Sequence, residues 1–208
     1  MHALCRDPGS AAELQAVAAA TPSESVALHT HDQQSGDSCT ALAVEFAGVP
    51  LDILINNAGV GGSGPRGADF SLAGQEFGTI DYAAWANTMD TNVMGVMRTT
   101  ETLIPSLLLS QSPKLVHISG IFGSITNQVR ESHESPDVPG RIGSRGYFAY
   151  RSSKAAMNMV CRMLDVELSP LGVRSIVLHP GGCNGCRRGA QPGCCGCHPA
   201  RTHWCTLR

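Results

Sequence analysis

Short apolar runs alternate with helix-like stretches along residues 1–181. Residues 51–55 and 173–178 are mostly apolar, which is typical of strands covered on both faces of a sheet. Residues 114–118 and 25–28 also have strand patterns. Helical patterns lie between these runs, at residues 11–20, 38–46, 82–109 (with a polar interruption around Asp90) and 147–169. Strands that alternate with helices of about ten residues or more predict βαβ units and a mostly parallel sheet.

The end of the chain has a different composition. Six of the nine cysteines fall in residues 183–208, and no Val, Ile, Leu, Met or Phe occurs between residues 182 and 206. Such a segment lacks the apolar side chains that a core element needs. We therefore expect two parts, an α/β domain at residues 1–182 and a disordered Cys-, Gly- and Arg-rich tail at residues 183–208.

The cysteine spacing in the tail leaves two interpretations open. Cys183-x-x-Cys186 and Cys194-x-x-Cys197 have the spacing of zinc ligands, and two histidines follow them, His198 and His203. A tail of this composition is also what translation of a GC-rich gene out of frame would give. We assign no metal ligand from the sequence and keep a zinc-binding module as an alternative function.

Charge and hydropathy exclude several partners. The net charge is −2 and charged residues make up 15% of the chain, so no basic face for nucleic acid is expected. No apolar run approaches the ~18 residues that cross a bilayer. The first residues lack the basic-then-apolar pattern of a secretory signal. We expect a cytoplasmic protein without nucleic acid or membrane partners.

Tyr150 and Lys154 are the first candidates for chemistry. Four residues apart, they share one face of a helix. A neighbouring ammonium group favours the phenolate and would lower the pKa of the tyrosine toward a useful range. The same spacing is common on solvated helix faces, so the pair by itself does not establish a site.

Further motifs accompany the pair in a fixed order along the chain. They are Asn56-Asn-Ala-Gly59 after a strand, Asn92 within a helical stretch, Ile118-Ser-Gly120 at a strand end, and Pro180-Gly181 after the next strand. Together with Tyr150-x-x-x-Lys154, residues 3–182 resemble the short-chain dehydrogenase/reductase family, and within it the C-factor and sniffer-type carbonyl reductases. The resemblance implies a Rossmann-like, doubly wound parallel sheet. It also implies an NAD(P)H-dependent oxidoreductase that transfers hydride to or from a small carbonyl or alcohol.

The resemblance also assigns roles. Tyr150 would be the general acid or base, Lys154 would lower its pKa and hold the nicotinamide ribose, and Asn92 would hold a water that leads to the lysine. Arg6 matches the place of an arginine that accepts a 2′-phosphate, which favours NADP over NAD, although an arginine beside Asp7 is also typical of a surface ion pair. The other residues placed at the cofactor are Asn57, Ala58, Gly59, Pro180 and Gly181.

The chain also departs from the family pattern. The family's first strand, its Gly-rich phosphate-binding turn and its last strand have no counterpart, so we expect an incomplete sheet. The position of the usual catalytic serine is Gly120. Whether the chain is an enzyme stays open at this point. The alternative is a catalytically inactive, truncated family member or gene-model fragment. A small-molecule substrate and a homodimer or homotetramer are implied by the resemblance alone.

Overall fold

The computed structural model describes residues 1–21, 26–61, 73–126 and 146–180. Strands and helices alternate along the chain, as the sequence predicts. The strands are β1 (His2–Cys5), β2 (Ala27–Thr30), β3 (Ile53–Asn56), β4 (Lys114–Ile118) and β5 (Arg174–Leu178). The helices are α1 (Ala12–Ala20), α2 (Gly36–Glu45), α3 (Tyr82–Met89), α4 (Val96–Leu107) and α5 (Phe148–Leu168).

The described strands all pair in parallel, and they form two sheets. β1 pairs with β2, while β3, β4 and β5 form a second sheet in that order. The predicted α/β, Rossmann-like class is confirmed. Because β3, β4 and β5 run in the same direction, their carboxyl ends lie at one edge, where ligands bind in such folds. This edge carries Asn56-Asn-Ala-Gly59, Ser119-Gly120 and Pro180.

The prediction that residues 51–55 form a strand covered on both faces is wrong. In β3, Leu54 and Asn56 are buried, whereas Ile53 and Ile55 are 51% and 57% exposed. Leu54 belongs to the core formed with α2 and α4, so that face is covered. The described residues leave the other face of β3 largely open to solvent, and β3 is also an edge strand of its sheet.

One hydrophobic core joins the helices to the larger sheet. Its buried members are Leu42 and Phe46 from the α2 region, Leu54, Leu103, Leu107, Leu115, Leu164 and Val173. Burying a side chain of this size contributes about 1.5–3 kcal/mol relative to exposure. Leu103 and Leu107 lie on the same face of α4, four residues apart, which explains why this helix packs against α2 and β3.

Helices α3 and α4 are joined by a π-helical turn, Asp90–Gly95, where the sequence shows a polar interruption. Thr91, Asn92 and Val93 are buried there, so the wider turn directs a polar stretch into the protein. Single π-turns inside helices are frequent at functional sites because they redirect side chains. The turn therefore positions Asn92 without ending the helix.

Some predictions concern residues outside the described ranges. The Cys-rich tail, with its zinc-binding and out-of-frame interpretations, lies there, and so does Gly181. Within the ranges that the structure describes, no three or more His, Cys, Asp and Glu side chains cluster as a metal site would require. In those same ranges no helix has the length and apolar character needed to cross a membrane.

His117 on β4 is a buried histidine that must stay neutral. Its ring is fully buried, and Asn56 Nδ2 lies 3.4 Å from its Nδ1. Since Asn56 donates, the ring proton is on Nε2, for which the described residues supply no acceptor. Burial lowers the pKa of His117 from 6.5 to about 4.

This burial predicts acid sensitivity. The unfolded chain binds a proton at His117 near pH 6.5, but the folded chain does so only near pH 4. The free energy of unfolding should therefore fall by about 3 kcal/mol as pH drops through this window. Urea unfolding of the protein and of His117→Leu, measured across the same pH range, tests this. From high pH into acid, the unchanged protein should lose about 3 kcal/mol of stability relative to His117→Leu, whichever of the two is more stable at high pH. Parallel curves would contradict the prediction.

Candidate active site

Lys154 lies between the carboxyl ends of β3 and β4. Its side chain is buried, and Nζ donates a hydrogen bond of 2.9 Å to the Ile118 carbonyl at the end of β4. Nζ is 5.6 Å from the centre of the Tyr150 ring. A Cβ placed on Gly59 would lie 3.7 Å from the same atom. The fold therefore brings the turn after β3 next to Tyr150 and Lys154, although that turn is far from the pair in sequence.

Asn92 connects the turn after β3 to α5. Its Oδ1 accepts from the Val60 N–H at 2.8 Å, and its Nδ2 donates to the Val60 carbonyl and to Ser153 Oγ, both at 2.9 Å. Both amide hydrogens are used in this way, so neither is directed at Lys154. The water-relay role that the resemblance assigns to Asn92 stays a prediction.

Burial shifts the pKa values of both Tyr150 and Lys154. The pKa of Tyr150 is raised by desolvation, and burial lowers the pKa of Lys154. The lowering of the Tyr150 pKa that is expected from Lys154 is not seen in this arrangement, in which Nζ is directed at the Ile118 carbonyl. The role assigned to Lys154 stays a prediction. At neutral pH the phenol keeps its proton, and a group that protonates a carbonyl oxygen needs that proton.

Gly120 leaves a space beside the Tyr150 hydroxyl. Its backbone is extended, with φ −159° and ψ 158°, a conformation that any residue adopts. A Cβ at this position would lie 3.8 Å from Tyr150 Oη and 4.0 Å from the Phe122 nitrogen, both ordinary contact distances. Ser119 does not fill this space, because its hydroxyl donates to Asn158 Oδ1 at 2.7 Å.

Aromatic and cationic side chains lie next to Tyr150. The Phe122 ring meets the Tyr150 ring edge to face, with centres 5.8 Å apart, and Tyr147 meets Phe122 in the same way at 5.9 Å. The Arg151 guanidinium lies 5.2 Å from the centre of the Phe122 ring. Tyr147 is the one described non-glycine residue with a positive φ, 58°. Such strain is often found at functional sites.

The other described residues predicted at the cofactor are exposed. Asn57, Ala58 and Gly59 are exposed at the carboxyl end of β3, and Pro180 is exposed after β5. Their shared edge is where a cofactor would bind. Arg6 is exposed and directly follows β1, which is a strand of the smaller sheet. No described contact joins it to the Tyr150 group.

Sequence reasoning missed three residues that support the site. Ser153 Oγ donates to the Tyr150 carbonyl at 2.8 Å and accepts from Asn92. Gly123 packs so closely on α5 that a Cβ would lie 2.6 Å from the Lys154 carbonyl carbon. Gln75 is fully buried within a Gly-, Ser- and Pro-rich stretch. Two of these carried a sequence signal, because Ser153 lies between Tyr150 and Lys154 and Gly123 ends the motif that begins at Ile118. Gln75 carried none.

Comparison with known proteins identifies the family to which the chain belongs. The family model described as short chain dehydrogenase matches residues 5–132. C-signal from Myxococcus xanthus is 32% identical over 141 residues, which cover 68% of this chain and 70% of that protein. The chain therefore belongs to the short-chain dehydrogenase/reductase family, as the sequence motifs predict.

Solved structures share the fold of this chain. A carbonyl reductase from Pseudomonas aeruginosa has a TM-score of 0.64 and 25% identity, covering 86% of this chain and 71% of that one. The NADPH-bound carbonyl reductase from chicken fatty liver has a TM-score of 0.67 and 24% identity, covering 86% and 67%. The chain spans only 58%, 53% and 55% of the length of three other curated relatives.

Proposed function

We propose that the chain is an NADP(H)-dependent carbonyl reductase in which Tyr150 protonates the carbonyl oxygen of a small substrate. The observation that carries the proposal is the convergence of Tyr150, Lys154 and Gly59 at one sheet edge. A raised tyrosine pKa supports the reducing direction, since the phenol holds the proton that the product alcohol requires. NADPH would supply the hydride when bound.

The residues at this edge fit the nicotinamide end of a dinucleotide. A Cβ at position 59 would lie 3.1 Å from Asn92 Oδ1, a tight contact that would push on the amide, whereas glycine leaves the backbone open there. Lys154 Nζ lies beside that backbone and has donor hydrogens beyond the one given to Ile118, which suit ribose hydroxyls. Arg6 is proposed as the group that meets a 2′-phosphate. Arg6 is one reason to propose NADP over NAD. The other is that the similar carbonyl reductase from chicken fatty liver has NADPH bound.

A volume-matched change at Lys154 tests the cofactor site. Lys154→Met should weaken NADPH binding about 10-fold to 100-fold, because a hydrogen bond from a charged group contributes roughly 1.5–3 kcal/mol. Tryptophan fluorescence or calorimetry measures the Kd. The sequence contains one other lysine, Lys114, which is exposed at the start of β4, and Lys114→Met is the matched control. If the unchanged protein shows no saturable NADPH binding, the proposed function is wrong.

Gly120 favours a second candidate, a family member that binds cofactor without turning over substrate. The hydroxyl that usually orients the carbonyl is missing, and Ser119 is engaged elsewhere. NADPH binding combined with no oxidation of NADPH by a panel of small aldehydes and ketones would favour this candidate over the reductase.

A further inference from the structure

Gln75 is buried between two parts of the site. Its side chain is 0% exposed, Nε2 donates to the Gly61 carbonyl at 3.0 Å, and Oε1 accepts from the Tyr150 N–H at 3.3 Å. Its own carbonyl accepts from the Phe148 N–H at 3.3 Å. One residue thus bonds both to the turn after β3 and to the start of α5.

The bonds to α5 satisfy groups that the helix itself cannot. The first N–H groups of a helix have no partner within it. Tyr147, the residue before α5, does not cap it with its side chain. Gln75 instead supplies two acceptors, one at Phe148 and one at Tyr150, from a segment more than seventy residues earlier in the chain. This caps the turn of α5 that carries Tyr150.

The hydrogen bond to the Gly61 carbonyl uses the amide nitrogen of Gln75, whereas the bond to Tyr150 uses the amide oxygen. A carbonyl requires a donor and an N–H requires an acceptor, so the two partners fix which end of the Gln75 amide is nitrogen. Gly61 follows Gly59 and Val60, the backbone that Asn92 also holds. A side chain with only donors or only acceptors could not join these two elements.

We propose that Gln75 is a positioning residue whose buried amide holds the amino end of α5, and with it the Tyr150 phenol, at a fixed place relative to the turn after β3. Its catalytic consequence rests on the proposed function; its structural part does not. A reacting group displaced by about 1 Å can lose roughly 100-fold in rate. Removing the amide should therefore lower kcat while the rest of the fold is retained.

The test compares two changes of similar size. Gln75→Met keeps the volume but loses both side-chain bonds, and it should lower kcat for NADPH-dependent reduction about 10-fold to 100-fold, with KM for the carbonyl within about three-fold. Gln75→Glu, assayed in mild acid where a buried carboxyl is protonated, keeps one donor and one acceptor and should stay within about three-fold of the unchanged protein. Gln111→Met, at an exposed glutamine after α4, is the control.

Hydrogen exchange gives a readout that does not depend on activity. The Tyr150 amide, which loses its acceptor, should exchange about ten-fold faster in Gln75→Met than in the unchanged protein, while residues 158–168 of the same helix keep their protection. If Gln75→Met does not fold, Gln75→Asn, whose amide is one methylene too short to reach both partners, replaces it. Unchanged exchange and kcat in the methionine variant, or equal loss in the glutamate variant, would overturn the inference. Absent turnover of the unchanged protein counts against the proposed function only, and the exchange data still decide the role of Gln75.

Discussion

Tyr150→Phe should lower NADPH-dependent carbonyl reduction by about 10³-fold while leaving NADPH binding unchanged. Proton transfer by a positioned side chain contributes roughly 10²–10⁴-fold in enzymes, and the phenol is the only proton-bearing group of this side chain. Phenylalanine keeps the ring that packs edge to face on Phe122, so the shape of the site is retained. The measurement is kcat with a reactive aldehyde, together with the Kd of NADPH.

The three tyrosines of the chain provide the control for this prediction. Tyr82 is 75% exposed on α3, and Tyr82→Phe should leave kcat within about two-fold. If Tyr150→Phe retains more than about a tenth of the activity, another group supplies the proton and Tyr150 is not the general acid. If both variants lose activity equally, the loss reflects folding rather than chemistry, and the assignment fails.

Local patterns in the sequence predict most of the fold. The alternation of apolar runs and helical periods locates four of the five described strands, all except β1, and the helices between them, because each pattern reflects burial of one element against the next. The sheet edge follows from the same alternation, since parallel strands place their carboxyl ends together. The division into two sheets does not follow, because strand pairing depends on contacts between distant residues. The exposure of Ile53 and Ile55 on β3 cannot be predicted from the sequence either, because it depends on whether distant residues cover that face.

Site residues are predictable only where a motif carries them. Tyr150, Lys154 and Asn92 are found from spacing and order, and the structure brings Tyr150 and Lys154 to one edge. Gln75 has no such signal, because its role depends on burial and on two partners in different parts of the chain. The spacing predicts a lowered pKa for Tyr150, whereas desolvation raises it. Sequence spacing shows that Lys154 is near but not that its ammonium group is directed at Ile118 or that both groups are desolvated.

Gly120→Ser should raise kcat by about 10²–10³-fold. One donor directed at the developing negative charge of a transition state is worth roughly that factor. The backbone of Gly120 is extended, and a Cβ there meets nothing closer than Tyr150 Oη at 3.8 Å. The serine hydroxyl, one bond further out, can therefore reach hydrogen-bonding distance of the phenol and of a carbonyl oxygen that the phenol protonates. The substitution should cost little stability.

Two further variants distinguish the effect of the hydroxyl from the effects of an added Cβ and of a displaced α5. Gly120→Ala adds the same Cβ without the oxygen and should leave kcat within about three-fold of the unchanged protein. Gly123→Ser places a Cβ 2.6 Å from the backbone of Lys154, so α5 must shift; both stability and kcat should fall. A gain confined to Gly120→Ser would mean that a missing hydroxyl limits the rate at this site. If Gly120→Ser and Gly120→Ala behave alike, the site is limited by something other than that hydroxyl, and the space beside Tyr150 has no catalytic consequence.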